Sequence, residues 1–165
     1  SRFRLVLAGS GPLARRAMDQ VKRMGLAREV IFLGQMAYEQ LPAIYAAADI
    51  KVISSDFESF CFAALEAMSS CLPVVTTDCG WVPKLLGREM GAIVCESARR
   101  FEGGLVAPIN DADKMANALL YMAEHEAERR DMGVWNRSEV LARHSWTQSA
   151  GKLLSLYQSL YSDME

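Results

Sequence analysis

Short apolar runs alternate with amphipathic stretches along this chain, and the alternation limits its fold more than any single motif does. Arg4 to Ala8 is an apolar run entering Gly9-Ser10-Gly11-Pro12, which predicts a buried strand, a tight turn and a helix start. Helix formers with one apolar face follow from Leu13 to Met24, and Gly25 stands where a C-cap glycine belongs. Val30 to Leu33 predicts the next strand, stopped by Gly34. A helix over about Glu39 to Ala48 and a strand over Asp49 to Ile53 come after it. Phe60 to Ser70 predicts a helix, Pro73 to Thr77 a fourth strand, and Val82 to Leu86 a short helix. Ala92 to Val94 and Leu105 to Ala107 compete for the next strand, and the polar segment Cys95 to Gly103 between them predicts a loop. Asp111 to Met122 and Thr147 to Tyr161 predict C-terminal helices over about 112–161.

Strand–helix alternation of this kind builds right-handed βαβ units, so the expected fold class is α/β, a doubly wound parallel sheet with helices on both faces. Such a sheet binds ligands at its carboxyl edge. Here that edge consists of the loops Gly9–Pro12, Gly34–Tyr38, Ser54–Ser59 and Thr77–Trp81. A length of 165 residues fits one domain or one lobe of a larger protein, and an apolar share of 51% supplies its core. The formal net charge of −2 argues against a general nucleic-acid binder, so no nucleic-acid partner is expected. No apolar run reaches the ~20 residues of a bilayer span, and no signal peptide opens the sequence, which predicts a soluble, cytoplasmic segment. The cysteines at 61, 71, 79 and 95 and the histidines at 125 and 144 show neither CxxC pairs nor metal-ligand spacing. Buried, inert thiols and no metal site follow as expectations.

Chemistry concentrates in one stretch. Gly9-Ser10-Gly11-Pro12 has the look of a phosphate-cradling turn, yet lacks the third glycine of a dinucleotide loop and the lysine of a P-loop. The segment from Ser55 to Met68 carries more: Glu58 at a loop-to-helix junction and Glu66 within the helix, seven residues between them. A helix starting near Phe60 aims free amides around Ser59 to Phe62 into the cleft, where they favour an anion. Two carboxylates about 10 Å apart along such a helix are further apart than the ~5–5.5 Å of a retaining glycosidase pair. The spacing suits two grips on one long ligand with a diphosphate between them. Met115, Leu119 and Met122 share a helix face and read as core, while Glu124 to Asp131 reads as a solvated, charged surface. Arg99-Arg100 is a surface pair too small to distinguish a membrane contact from solvent, and neither histidine lies in a cleft loop.

Taken in order, these pieces resemble the donor-binding, C-terminal lobe of retaining glycosyltransferases with the GT-B fold, the "group 1" glycosyl transferases. The resemblance rests on Ser55-x-x-Glu58-Ser59-Phe60, on Glu66-Ala67-Met68-Ser69-Ser70-Cys71-Leu72-Pro73, and on the glycine loop and Val30-x-Phe32-x-Gly34. It extends through Tyr45-x-x-Ala48-Asp49, Gly104-Leu105-Val106-x-Pro108-x-x-Asp111, Trp146, and Leu154-x-x-Tyr157. It implies a Rossmann-like lobe over residues 1–165, lacking its first strand–helix unit and belonging to a larger two-lobe enzyme. It further implies that Glu58 is the catalytic-site carboxylate on the transferred sugar, that Glu66 holds the ribose, and that Ser59, Phe60, Cys61 and Phe62 receive the diphosphate. Gly9, Gly11 and Gly34 are then donor-loop positions, and Gln35 and Met36 line the base. The implied reaction moves a sugar from a nucleoside diphosphate sugar, with retention and without a metal or other cofactor, in cell-surface polysaccharide or lipopolysaccharide synthesis. The implied partners are that donor and a carbohydrate or lipid-linked acceptor held by an N-terminal lobe, with room for peripheral association at the inner face of the plasma membrane. The fragment alone is expected to be inactive. Two alternatives stay open: a glycosyltransferase-like binding module without catalysis, and a GT-B-fold sugar-nucleotide epimerase or hydrolase. The chain departs from the family where Cys61 and Cys71 stand for usual glycines, and where Gly80-Trp81-Val82-Pro83-Lys84 replaces a common Gly-Gly-Val-Pro-Glu.

Overall fold

The computed structural model of the chain describes residues 3–96 and 98–162 and divides into two compact units, 1–44 and 45–165. In the first unit β1 (Leu5–Ala8) and β2 (Val30–Gly34) pair in parallel, Leu5 opposite Val30, joined by α1 (Ala14–Arg23). The strands are where the apolar runs predict them, but they are not buried. Leu5, Val6 and Leu7 stay exposed, because one helix cannot cover both faces of a two-stranded sheet. The expected helix over Glu39 to Ala48 is shorter: a 3-10 turn at Tyr38–Gln40 and then α2 (Leu41–Ala46), inside which the unit boundary falls.

The second unit is built on a five-stranded sheet. β3 (Lys51–Ile53), β4 (Val74–Thr77) and β7 (Gly104–Ala107) run parallel; β6 (Ala98–Phe101) and β5 (Glu89–Val94) follow antiparallel, in the order β3-β4-β7-β6-β5. Both runs expected to compete for one strand are therefore strands. The segment between them is not a loop: Ala98–Phe101 forms β6 and makes a hairpin with β5, with Ser97 outside the described residues. Its arginines are spoken for within the unit. Arg99 pairs with Asp78 at 2.7 Å and Glu89 at 2.9 Å, and Arg100 with Glu128 at 3.1 Å.

Every residue of β4 and β7 is buried, as expected for central parallel strands covered on both faces. Val74 and Val106 face a cluster with Ile53, Ala64, Met68, Val82, Leu85 and Leu86, contributed largely by α3 (Phe62–Ser69) and α4 (Val82–Leu85). Their neighbours Val75 and Leu105 point the other way, onto Ala118, Met122 and Met132, with Met115 and Leu119 packed at the margin. This second layer comes from α5 (Ala112–Glu124) and α6 (Glu126–Arg143), and it confirms the methionine stripe as core. The charged segment Glu124 to Asp131 is largely exposed, as expected, and leads into α6. Asp111 caps α5 by accepting from the Lys114 amide at 3.0 Å, and Arg129 of α6 donates back to the carbonyls of Met122 and Ala123. Asn136, fully buried, donates to the carbonyls of Leu72 and Gly103, both at 2.8 Å, so α6 locks the entry to β4 onto the β6–β7 turn. α7 (Trp146–Ser162) differs: all its described side chains are exposed, Trp146 by 91%. Among the described residues no helix is long and apolar enough to cross a membrane.

Candidate functional site

The carboxyl ends of β3 and β4 place the central acidic residues. After β3 the chain turns at Ser55, whose hydroxyl donates to Glu58 Oε1 at 2.8 Å. The buried Thr77, last residue of β4, donates its hydroxyl to the Ser55 carbonyl at 2.5 Å, tying this loop to the next strand. Gly80 presses against it from the other side. A Cβ there would lie 1.5 Å from the Glu58 carbonyl oxygen, and φ is +54°, so only glycine fits. Glu58 is thus half-buried and held through both its side chain and its backbone.

The helix does not start at Phe60. α3 begins at Phe62, and Cys61 is its N-cap in the left-handed region, φ 64° and ψ 76°. Glu58 therefore lies in the loop, and the helical rise assumed between it and Glu66 does not apply. The amides that helix geometry leaves free are those of Cys61, Phe62 and Ala63, while Ser59 and Phe60 belong to the approach. Phe60 packs edge-on against Phe62 at 5.4 Å and against His144 at 6.4 Å, which brings His144, expected outside the cleft loops, against one of them. Burial lowers the His144 pKa below its ordinary 6.5. Burial also pushes the Cys61 thiol up, against the pull of the Ala64 amide.

Glu66 sits on α3 half-buried rather than solvated, and Tyr45 donates its hydroxyl to Glu66 Oε2 at 3.0 Å. Lys51, first residue of β3, lies with its ammonium 5.5 Å from the centre of the Tyr45 ring. Burial pulls the Lys51 pKa down, and the Cys61 and Glu66 charges oppose this. Neither Tyr45 nor Lys51 was singled out from sequence as a site residue. The available signal was a lysine inside an apolar strand, Asp49-Ile50-Lys51-Val52-Ile53. Trp81 is 45% exposed and covered on one face by Lys84, whose ammonium lies 4.0 Å from the ring centre.

The other expected site residues lie in the first unit. There the glycine loop and the turn after β2 do meet: the Gly9 amide donates to the Gly34 carbonyl at 2.7 Å, and the Ser10 hydroxyl donates to Gln35 Oε1 at 2.8 Å. Gln35 is exposed and Met36 half-buried, and a Cβ at Gly11 would meet open space. The thiols differ from expectation. Cys79 is buried, Cys71 is exposed, and Cys61 and Cys95 are intermediate; none of the four is in a disulfide. Among the described residues no three His, Cys, Asp or Glu side chains are grouped to hold a metal ion. A cavity of about 470 Å³ opens at the same carboxyl edge, between Ser54, Asp56, Thr77, Asn110, Asp111 and Met115, beside the glutamate loop.

The chain is 32% identical over 154 residues to a D-inositol 3-phosphate glycosyltransferase of Corynebacterium urealyticum, covering 93% of this chain and 33% of that protein. It is 30% identical over 142 residues to a mannosylfructose-phosphate synthase of Agrobacterium fabrum, covering 85% of this chain and 28% of the relative. The chain thus spans about a third of the length of the curated relatives it matches. Among solved structures, the sucrose-phosphate synthase of Thermosynechococcus elongatus superposes with a TM-score of 0.81 at 30% identity, over 97% of this chain and 39% of that one. HepE of Anabaena, solved in complex with UDP-glucose, superposes with a TM-score of 0.77 over 94% of this chain and 41% of its own, and at 22% identity it shows the fold alone. The fold is that of a GT-B C-terminal, Rossmann-like lobe. Residues 1–138 match the family model described as "Glycosyl transferases group 1", and the chain belongs to that family.

Proposed function

We propose that this chain is the donor-binding lobe of a retaining glycosyltransferase that takes a nucleoside diphosphate sugar and serves cell-surface glycan synthesis. One observation carries the reading. Two glutamates flank the start of α3 at the carboxyl edge, and each accepts a hydrogen bond from a neutral hydroxyl, Ser55 on Glu58 and Tyr45 on Glu66. Carboxylates held this way are acceptors for sugar hydroxyls, and the helix terminus between them favours a diphosphate. In this reading Glu58 contacts the transferred sugar and Glu66 the ribose. The amides at Cys61 and Phe62, approached through Ser59 and Phe60, take the diphosphate, and the leaving charge is stabilised without a metal. The first unit, by itself, offers Gln35 and Met36 to the nucleobase beside the turn formed by Gly9, Gly11 and Gly34. The relatives' names and the UDP-glucose held by HepE support a sugar-nucleotide donor. Acceptor binding and transfer belong to the whole protein, for which this reading gives a cytoplasmic location with peripheral membrane contact. The test is transfer by the full protein that carries this chain. Glu58→Gln is expected to abolish transfer while sparing folding and nucleotide affinity, and near-wild-type transfer would exclude Glu58 from the sugar site. Activity that survives a chelator is expected, and loss restored by a divalent cation would refute the metal-independent step.

A further inference from the structure

Beneath Glu66 lies a cluster that the fold does not require. Lys51 and Ile53 occupy alternate positions of β3, and therefore the same face, and Ile53 packs into the cluster formed with α3. An apolar side chain at position 51 would extend that packing with none of the desolvation that burying an ammonium costs. The ammonium instead stands 5.5 Å from the Tyr45 ring, and the Tyr45 hydroxyl engages one oxygen of Glu66 at 3.0 Å. The backbone of Glu66 is fixed as well, since Ser69 and Ser70 both donate to its carbonyl, at 2.8 and 3.1 Å. A glutamate on an open helix face samples many rotamers, and ordering it on ligand binding costs side-chain entropy. Here that ordering is present before a ligand arrives, and a second carboxylate oxygen, Oε1, is left to a ligand hydroxyl.

Resting on the reading of Glu66 as the ribose contact, the geometry points to Tyr45 and Lys51 as positioning residues that pre-set the Glu66 carboxylate and so confer selectivity for ribose over deoxyribose in the donor. Tyr45 acts through its hydroxyl. Lys51 acts on Tyr45, holding the ring by a cation–π contact, and on Glu66 through its charge.

The experiment titrates the full protein that carries this chain with UDP and GDP, and with the 2′,3′-dideoxy form of each. Wild type is expected to favour the ribonucleotide at least about tenfold, a margin of ~1.4 kcal/mol. Tyr45→Phe keeps the ring and the cation contact and removes only the hydroxyl. It is expected to cut ribonucleotide affinity about tenfold and leave the dideoxy form unchanged, so that the preference collapses. Lys51→Met is expected to lower the preference by a smaller factor, about threefold. A Tyr45→Phe variant that keeps the wild-type preference, or that loses affinity for both ligands equally, overturns the positioning role. Glu66→Ala separates the two layers of the argument. If it abolishes the preference while Tyr45→Phe does not, only the positioning inference fails; if it leaves the preference intact, Glu66 is not the ribose contact and both fail.

Discussion

Cys61 and Cys71 are non-glycine residues that both adopt positive φ, 64° and 60°. A side chain in the left-handed region costs roughly 1–2 kcal/mol, part of which glycine would return through its greater freedom in the unfolded chain. Cys61→Gly is therefore expected to stabilise the second unit by about 1 kcal/mol, read as a higher urea midpoint. An unchanged or lower midpoint would show that the thiol's packing against the core outweighs the strain. At Gly80 the constraint runs the other way, because a Cβ would collide with the Glu58 carbonyl. Gly80→Ala is expected to displace the Glu58 loop and lower transfer roughly a hundredfold, with a smaller change in nucleotide affinity. Comparable losses in both would mean that the substitution disrupts more than the sugar end. His144 adds a pH dependence. Its folded pKa lies below 6.5, so the unfolded chain binds more protons as the solution acidifies, and the stability it contributes above pH 6.5 is lost as pH falls below that value. His144→Phe keeps the contact with Phe60 and is expected to flatten that part of the stability profile between neutral and mildly acidic pH.

Elements were legible where one physical signal dominated. β4 and β7 are continuous apolar runs because both their faces are covered, and α5 shows a methionine stripe because only one face is. β6 was hidden by Arg99 and Arg100, which read as a loop and are in fact neutralised by Asp78, Glu89 and Glu128 from other segments. α6 was hidden because its buried surface is made by Met132, Gly133 and Asn136, a set with little apolar periodicity. Gly133 faces the Cys71 carbonyl so closely that a Cβ would stand 2.1 Å from it. Glu58 and Glu66 could be picked out from their spacing, but the start of α3 could not, since a cysteine in a left-handed cap gives no cue comparable to glycine. Removing the amide at the centre of α6 isolates its contribution. Asn136→Ala takes the side-chain donor from the Leu72 carbonyl and leaves the Gly103 carbonyl with the Val74 amide alone, and is expected to cost about 1–3 kcal/mol. A loss under 1 kcal/mol in denaturant unfolding would mean that water replaces the amide.

At the scale of the molecule, burial is unevenly divided. The described core residues all belong to the second unit, whereas the first unit's elements contain none that is fully buried. Backbone amides open in proportion to the apolar contacts that hold them closed. Hydrogen exchange is therefore expected to proceed at least about a hundredfold faster in β1 and β2 than in β4 and β7, and equal protection would contradict this division. The closure made by Asn136 also imposes an order in time. Its acceptors lie 64 and 33 residues earlier in the chain, so every strand of the sheet is synthesised before the residue that joins β4 to the β6–β7 turn. A nascent chain ending short of Asn136 carries an open seam, with the Leu72 carbonyl still without its side-chain donor. An unclosed seam of this kind is what exposes an incompletely folded chain to aggregation.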